Sequence, residues 1–195
     1  MRITLIPLTF LLIVIFLGSC NSTFAKENEI GQSRIHPAHP LYFLKTIREN
    51  LENSFALTDR VKLIRQLEFS TRRLREVKAL VSINRQDLIA PTLERYWFHI
   101  AHLDLNLKDE EVMLKIRQSL VVHLQTLEVI YGSLSNPEAK RVVRSVIYKT
   151  LSIPALPIFA QASVCNFLAK EASSSALNQS EQIILKMRAE KVCNN

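Results

Sequence analysis

Two pairs of histidines stand at a spacing that suits metal ligands. His99 and His102 lie three residues apart in a stretch that reads as helix, and His36 and His39 repeat the spacing in a loop. Neither pair brings a clear third ligand, so surface histidines are the plainer expectation and no metal is assigned. His123 differs because it falls on an apolar helical seam, where a buried, hydrogen-bonded histidine joining two helices is a commoner outcome than a catalytic one. Glu110 and Glu111 are adjacent, so their carboxylates diverge and suit a helix start better than acid/base work. Ser173, Ser174 and Ser175 have Lys170 nearby but no histidine or lysine arrangement that would mark a nucleophile. In the aromatic run Tyr96-Trp97-Phe98, Trp97 fits a buried stripe and Phe98 is left over for a ligand. No catalytic residue and no cofactor follows from these patterns. The three glycines, Gly18, Gly31 and Gly132, exclude a glycine-rich phosphate loop.

A further candidate for chemistry is a cysteine. Met1 and Arg2 lead into an apolar run from Ile3 to Leu17, the charged start and apolar middle of an export signal. Fifteen helical residues would cover only ~22 Å, less than the ~30 Å of hydrocarbon that a spanning helix must cross. The run ends in Leu17-Gly18-Ser19-Cys20, which resembles the lipobox of bacterial lipoproteins. That resemblance implies a diacylglycerol on the Cys20 thiol, cleavage just before it, and acylation of the new amine. Two or three acyl chains anchor a protein far better than one. The competing reading is an ordinary secretory signal cleaved near Ala25. The expected address is the outer side of the cytoplasmic membrane or the outer membrane, reached by export.

Taking 1–19 as the signal leaves 176 residues, with 24 basic against 18 acidic ones and a charge of +6. Such a surface suits anionic lipid, a cell-wall polymer or another envelope protein, whereas export speaks against nucleic acid. Once Cys20 is lipidated, Cys165 and Cys193 remain as an even pair, a candidate disulfide in an oxidising compartment. In a straight hairpin turning near Ala176 the two would be misaligned by ~9 Å. Bridging therefore asks for a turn nearer Gln179 or a frayed last helical turn.

These residues must be positioned by helices, because no segment alternates convincingly at period two. Residues 20–36 read as the lipidated cysteine and a flexible tether, and 37–195 as a helical domain. The first helix is expected from about Leu41 to Phe55, with Leu44, Ile47, Leu51 and Phe55 on one face. A second, capped by Thr58, runs to about Ile83 on the stripe Ile64, Leu67, Leu74, Val77 and Val81. Its basic residues, among them Arg72, Arg73 and Arg75, read as a solvated face. A third is expected over about Asp87 to Leu107, burying Leu93, Trp97, Ile100, Leu103 and Leu107, with Pro91 in its first turn. Asp109 caps a fourth, with a seam of Ile116, Leu120, His123, Leu127, Ile130 and Leu134. Asn136-Pro137 opens a fifth, a sixth covers about Ile158 to Lys170, and the last carries Ile184, Leu185 and Met187. The expected fold is all-α, an antiparallel helical bundle of about six or seven helices.

Pro40-Leu41-Tyr42-Phe43-Leu44-Lys45, followed by Arg72-Arg73-Leu74-Arg75-Glu76, resembles an uncharacterised bacterial domain of unknown function. Its opening is Pro-Leu-Tyr-x-Leu-Lys, and its amphipathic helix ends in Arg-Leu-x-Glu. The likeness covers about residues 37–134 and leaves 135–195 as C-terminal helices. It implies membership among exported proteins and the outer parts of anti-sigma-like proteins, and it supplies no active-site residue. The leading expectation is a non-enzymatic envelope lipoprotein, a helical binding or scaffold module. The alternatives are an extracytoplasmic sensor domain and an enzyme built on His99, His102, Glu94 or His123.

Overall fold

Helix starts follow directly from short polar side chains. The Thr58 hydroxyl accepts from the Val61 N–H, and the Asp109 carboxylate accepts from the Val112 N–H at 3.1 Å. Asn136 Oδ1 accepts from the Glu138 N–H at 2.8 Å, with Pro137 beginning the helix where no N–H is needed. The computed structural model describes residues 30–151, 153, 165, 167–169, 171–173 and 179–193, apart from the side chains at 181, 188 and 191–193. These residues form α1 (Tyr42–Ser54), α2 (Asp59–Ser82), a 3-10 turn (Gln86–Leu88), α3 (Ile89–Ala101), α4 (Glu110–Ser133), α5 (Pro137–Leu151) and α6 (Gln179–Cys193). No strand occurs among them, and the fold is all-α.

Helices α2 to α5 make the core. α2 packs on α3 and α4, and α5 closes against α3 and α4. Leu74, Val77, Leu80, Leu93, Leu120, Leu127, Val143 and Ile147 are wholly buried there. The seam of α4 is buried from Ile116 to Leu134, as its spacing predicts. α2 stops in a chain with almost no glycine by using Asn84 at φ 57°. The Arg85 N–H donates to the Leu80 carbonyl at 2.8 Å and the Asn84 N–H to Val81, so the last carbonyls are satisfied. Gln86 then docks this corner onto the α4–α5 loop through Ser135 Oγ and the Asn136 N–H.

Several elements depart from expectation. α3 ends at Ala101, not near Leu107, because Asp104 turns the chain by accepting from the Asn106 N–H at 3.0 Å. Its fully buried aromatic residue is Tyr96. Trp97 is only half-buried, with the Lys149 ammonium 5.5 Å from its ring centre. In α6, Leu185 and Ala189 face inward while Ile184 and Met187 are exposed. Residues 30–36, read as tether, lie against the domain from Ile30 onward. Ile30 is buried, its carbonyl accepts from Lys78 Nζ, and the Ser33 N–H donates to the Arg75 carbonyl at 3.1 Å. The expected sixth helix falls largely outside the described residues, although residues 165, 167–169 and 171–172 are helical and Leu168 is wholly buried.

The largest departure is α1. Its apolar stripe of Leu44, Ile47, Leu51 and Phe55 faces away from the bundle, with Leu51 54% and Phe55 76% exposed. The buried residue of α1 is Glu49. The physical reason lies in what the opposite face of the helix meets.

Candidate functional site

Tyr42, Lys45, Glu49 and Glu52 recur at intervals of three, four and three residues, so they form one face of α1. At 100° per residue that face lies roughly 130° around the helix from the apolar stripe. It meets Arg72, Arg73 and Glu76, which share a face of α2. Lys45 Nζ sits 2.6 Å from Glu76 Oε1, and Arg73 pairs with Glu76 at 2.9 Å and also with Glu49. Arg72 lies 2.8 Å from Glu52 and 3.6 Å from Glu49. The Tyr42 hydroxyl donates to Glu76 Oε2 at 3.1 Å and accepts from Arg73 and, at 3.0 Å, from Arg95 of α3.

Three carboxylates thus meet three cations, and Glu76 has no exposed surface at all. Burying charges is costly, and the cost is offset only where each finds an opposite charge and good hydrogen bonds. The perturbed groups reflect this tension. Burial pushes the Lys45 ammonium below its usual range against the pull of Glu76. Burial raises the Tyr42 hydroxyl, and the Glu76 charge adds to it. Burial also pushes the Glu52 carboxyl up, but hydrogen bonds from Arg48 and Arg72 outweigh it and hold that group low. The network is therefore a clasp that holds α1 with its polar side inward. The basic face of α2, expected to be solvated, is in part this clasp: Arg73 is buried, while Arg60, Lys62 and Arg75 remain exposed.

Beside the clasp lies a groove of about 420 Å³. Ile35, Leu41 and Leu44 form its apolar wall, and the charged side chains among its described lining residues are Lys45, Arg48, Arg72 and Arg75.

The histidines do not converge. His99 Nδ1 lies 2.7 Å from Gln66 Oε1, and His102 Nδ1 lies 2.7 Å from the Phe98 carbonyl. Burial lowers His99 to about 4. His39 Nδ1 accepts from the Leu41 N–H at 3.1 Å, and the His39 backbone N–H donates to the His36 carbonyl, so this pair shapes the entry to α1. Among the described residues no three His, Cys, Asp or Glu side chains gather around a common point. His123 is buried at the junction of α2, α3 and α4. Its Nε2 lies 2.9 Å from Thr71 Oγ1, and its Nδ1 lies 3.5 Å from the Tyr96 hydroxyl. A smaller cleft beside α3 and α5 includes Glu94 and Trp97 but none of the histidines. Arg60 binds Asp109 at 3.0 Å and Glu111 at 2.8 Å, a use of the α4 acidic start that spacing alone did not reveal. Cys20 lies outside the described residues. Cys165 is disulfide-bonded, and the side chain of Cys193 lies outside the described residues.

Fold and site together define an all-helical module whose first helix is clasped to a four-helix core by a buried ion network. The chain belongs to the DUF5667 family, a domain of unknown function, whose pattern matches residues 34–137. No curated protein and no solved structure matches the chain. The matched segment begins just before α1 and ends at the start of α5, so it contains the whole clasp.

Proposed function

We propose that the protein is a non-enzymatic envelope lipoprotein, a helical binding module tethered to a membrane through Cys20. The observation that carries the binding role is the outward apolar stripe of α1. A helix with a continuous apolar face ordinarily buries it. Here the clasp of Tyr42, Lys45, Glu49, Arg73 and Glu76 occupies the inward side instead, leaving Leu44, Ile47, Leu51 and Phe55 for something outside the fold. Contiguous exposed apolar surface of this kind marks interaction sites. The tether rests on the Leu17-Gly18-Ser19-Cys20 pattern behind a short apolar run.

Replacing Cys20 tests the anchor. Cys20→Ala is expected to leave an uncleaved precursor that takes up no labelled palmitate. Labelling and processing at the same site in the variant would refute the lipoprotein reading. The binding role is tested by a photo-crosslinking residue at Leu51, expected to give an adduct in intact cells, with Lys115 on exposed α4 surface as the silent control.

A further inference from the structure

We propose that the outward face of α1 lies in the surface of the anchoring membrane, with anionic phospholipid headgroups taken into the basic groove beside it. This rests on the tethered reading above and names the partner of the same surface. Three observations carry it.

The first is what α1 shows outward. Its only acidic side chains, Glu49 and Glu52, are turned into the clasp, so the exposed side combines an aliphatic and aromatic stripe with Arg48, which is paired with Glu52 at 2.6 Å. That combination is the one by which an amphipathic helix settles in a bilayer interface, apolar face down and cations at the phosphates. The second is the groove, apolar along Leu41 and Leu44 and cationic at exposed Arg75, with Lys45 and Arg72 in its wall already paired to Glu76, Glu52 and Glu49. A phosphodiester headgroup with its acyl chains matches Arg75 on one side and the apolar wall on the other. The third is reach. Ten residue steps lead from Cys20 to Ile30, which is fixed beside α2 through Lys78. Whatever their conformation, ten residues span at most ~35 Å. An anchor at Cys20 therefore holds this side of the domain within that distance of the lipid.

The test uses the lipidated chain purified from membranes and reconstituted into vesicles with brominated acyl chains. Leu51→Trp places an indole on the stripe, and the native Trp97, away from α1, is the internal reference. In phosphatidylglycerol–phosphatidylethanolamine vesicles the new indole is expected to be quenched several-fold more than the wild-type chain. Arg75→Glu, at an exposed position, is expected to reduce that quenching, as is neutral phosphatidylcholine. No added quenching in the anionic vesicles overturns the proposal. Equal quenching in neutral vesicles also overturns it, as do crosslinks joining α1 of two copies in place of quenching. Palmitate label at Cys20 is read in the same sample. A labelled chain without quenching refutes the membrane face and leaves the anchor standing; quenching without label does the reverse.

Discussion

His123 faces a hydroxyl from each side, Thr71 of α2 and Tyr96 of α3, and it is fully enclosed. Burial, aided by the charge of Arg75, lowers it from 6.5 to about 3. An unfolded chain takes up a proton near pH 6.5 that the folded chain refuses until about pH 3. Stability carried by this residue is therefore complete above pH 7 and is lost progressively as the pH falls between those values. The cost reaches several kcal/mol if no relaxation intervenes. His123→Leu is expected to keep the helical circular dichroism and to flatten the acid limb of the urea-unfolding profile. His123→Asp is expected to destabilise by several kcal/mol at neutral pH, through a buried charge without a partner. Equal and negligible effects of both would place residue 123 on the surface. The seam position of this histidine was legible from the spacing of Ile116, Leu120 and Leu127. Its partners were not, because Thr71 lies 52 residues away in the chain.

At the scale of the element, α1 reverses the usual rule of amphipathic packing. Its stripe at 44, 47, 51 and 55 was legible, and so was the Tyr42–Lys45 and Arg73–Glu76 pattern. What was not legible was which side of the helix would dock. The hydrophobic term favours the stripe, and it lost to a network that gives six charged groups opposite partners and also engages a third helix through Arg95. Substitutions separate the two faces. Arg73→Met should cost on the order of 3 kcal/mol by leaving buried Glu76 to Lys45 and Glu49 to the more distant Arg72, and Tyr42→Phe about 1–3 kcal/mol through orphaned donors. Ile47→Ser and Leu51→Ser should each change stability by less than ~0.5 kcal/mol, since little contact is lost. Chemical denaturation followed by circular dichroism reads all four. A core-like penalty at Ile47 or Leu51 would mean that α1 packs by its apolar face.

For the whole molecule, the C-terminal region is tied to the bundle at several points. Tyr131 donates to Glu171 and its ring meets that of Phe167 edge-on at 5.0 Å, while Leu168, Leu185 and Ala189 are buried. Cys165 is disulfide-bonded, and pairing with Cys193 is the expected outcome. Non-reducing peptide mapping of the mature chain should recover a linked pair containing both cysteines. Reduction should lower stability by about 3 kcal/mol, the entropy of a closed loop of this length. Two alkylatable thiols would refute the pairing.

By itself the sequence determined the helical class, the starts of α2, α4 and α5 and the seam of α4, because caps and periodicity act between residues a few positions apart. It also carried the family pattern, which is a local string. Tertiary structure decided the side on which α1 docks, the choice of Tyr96 over Trp97 as the buried aromatic, and the pinning of residues 30–36. Each of these depends on groups distant in the chain, where opposite charges, hydroxyls and free carbonyls compete with apolar burial for the same place. No window along the sequence contains both sides of that competition.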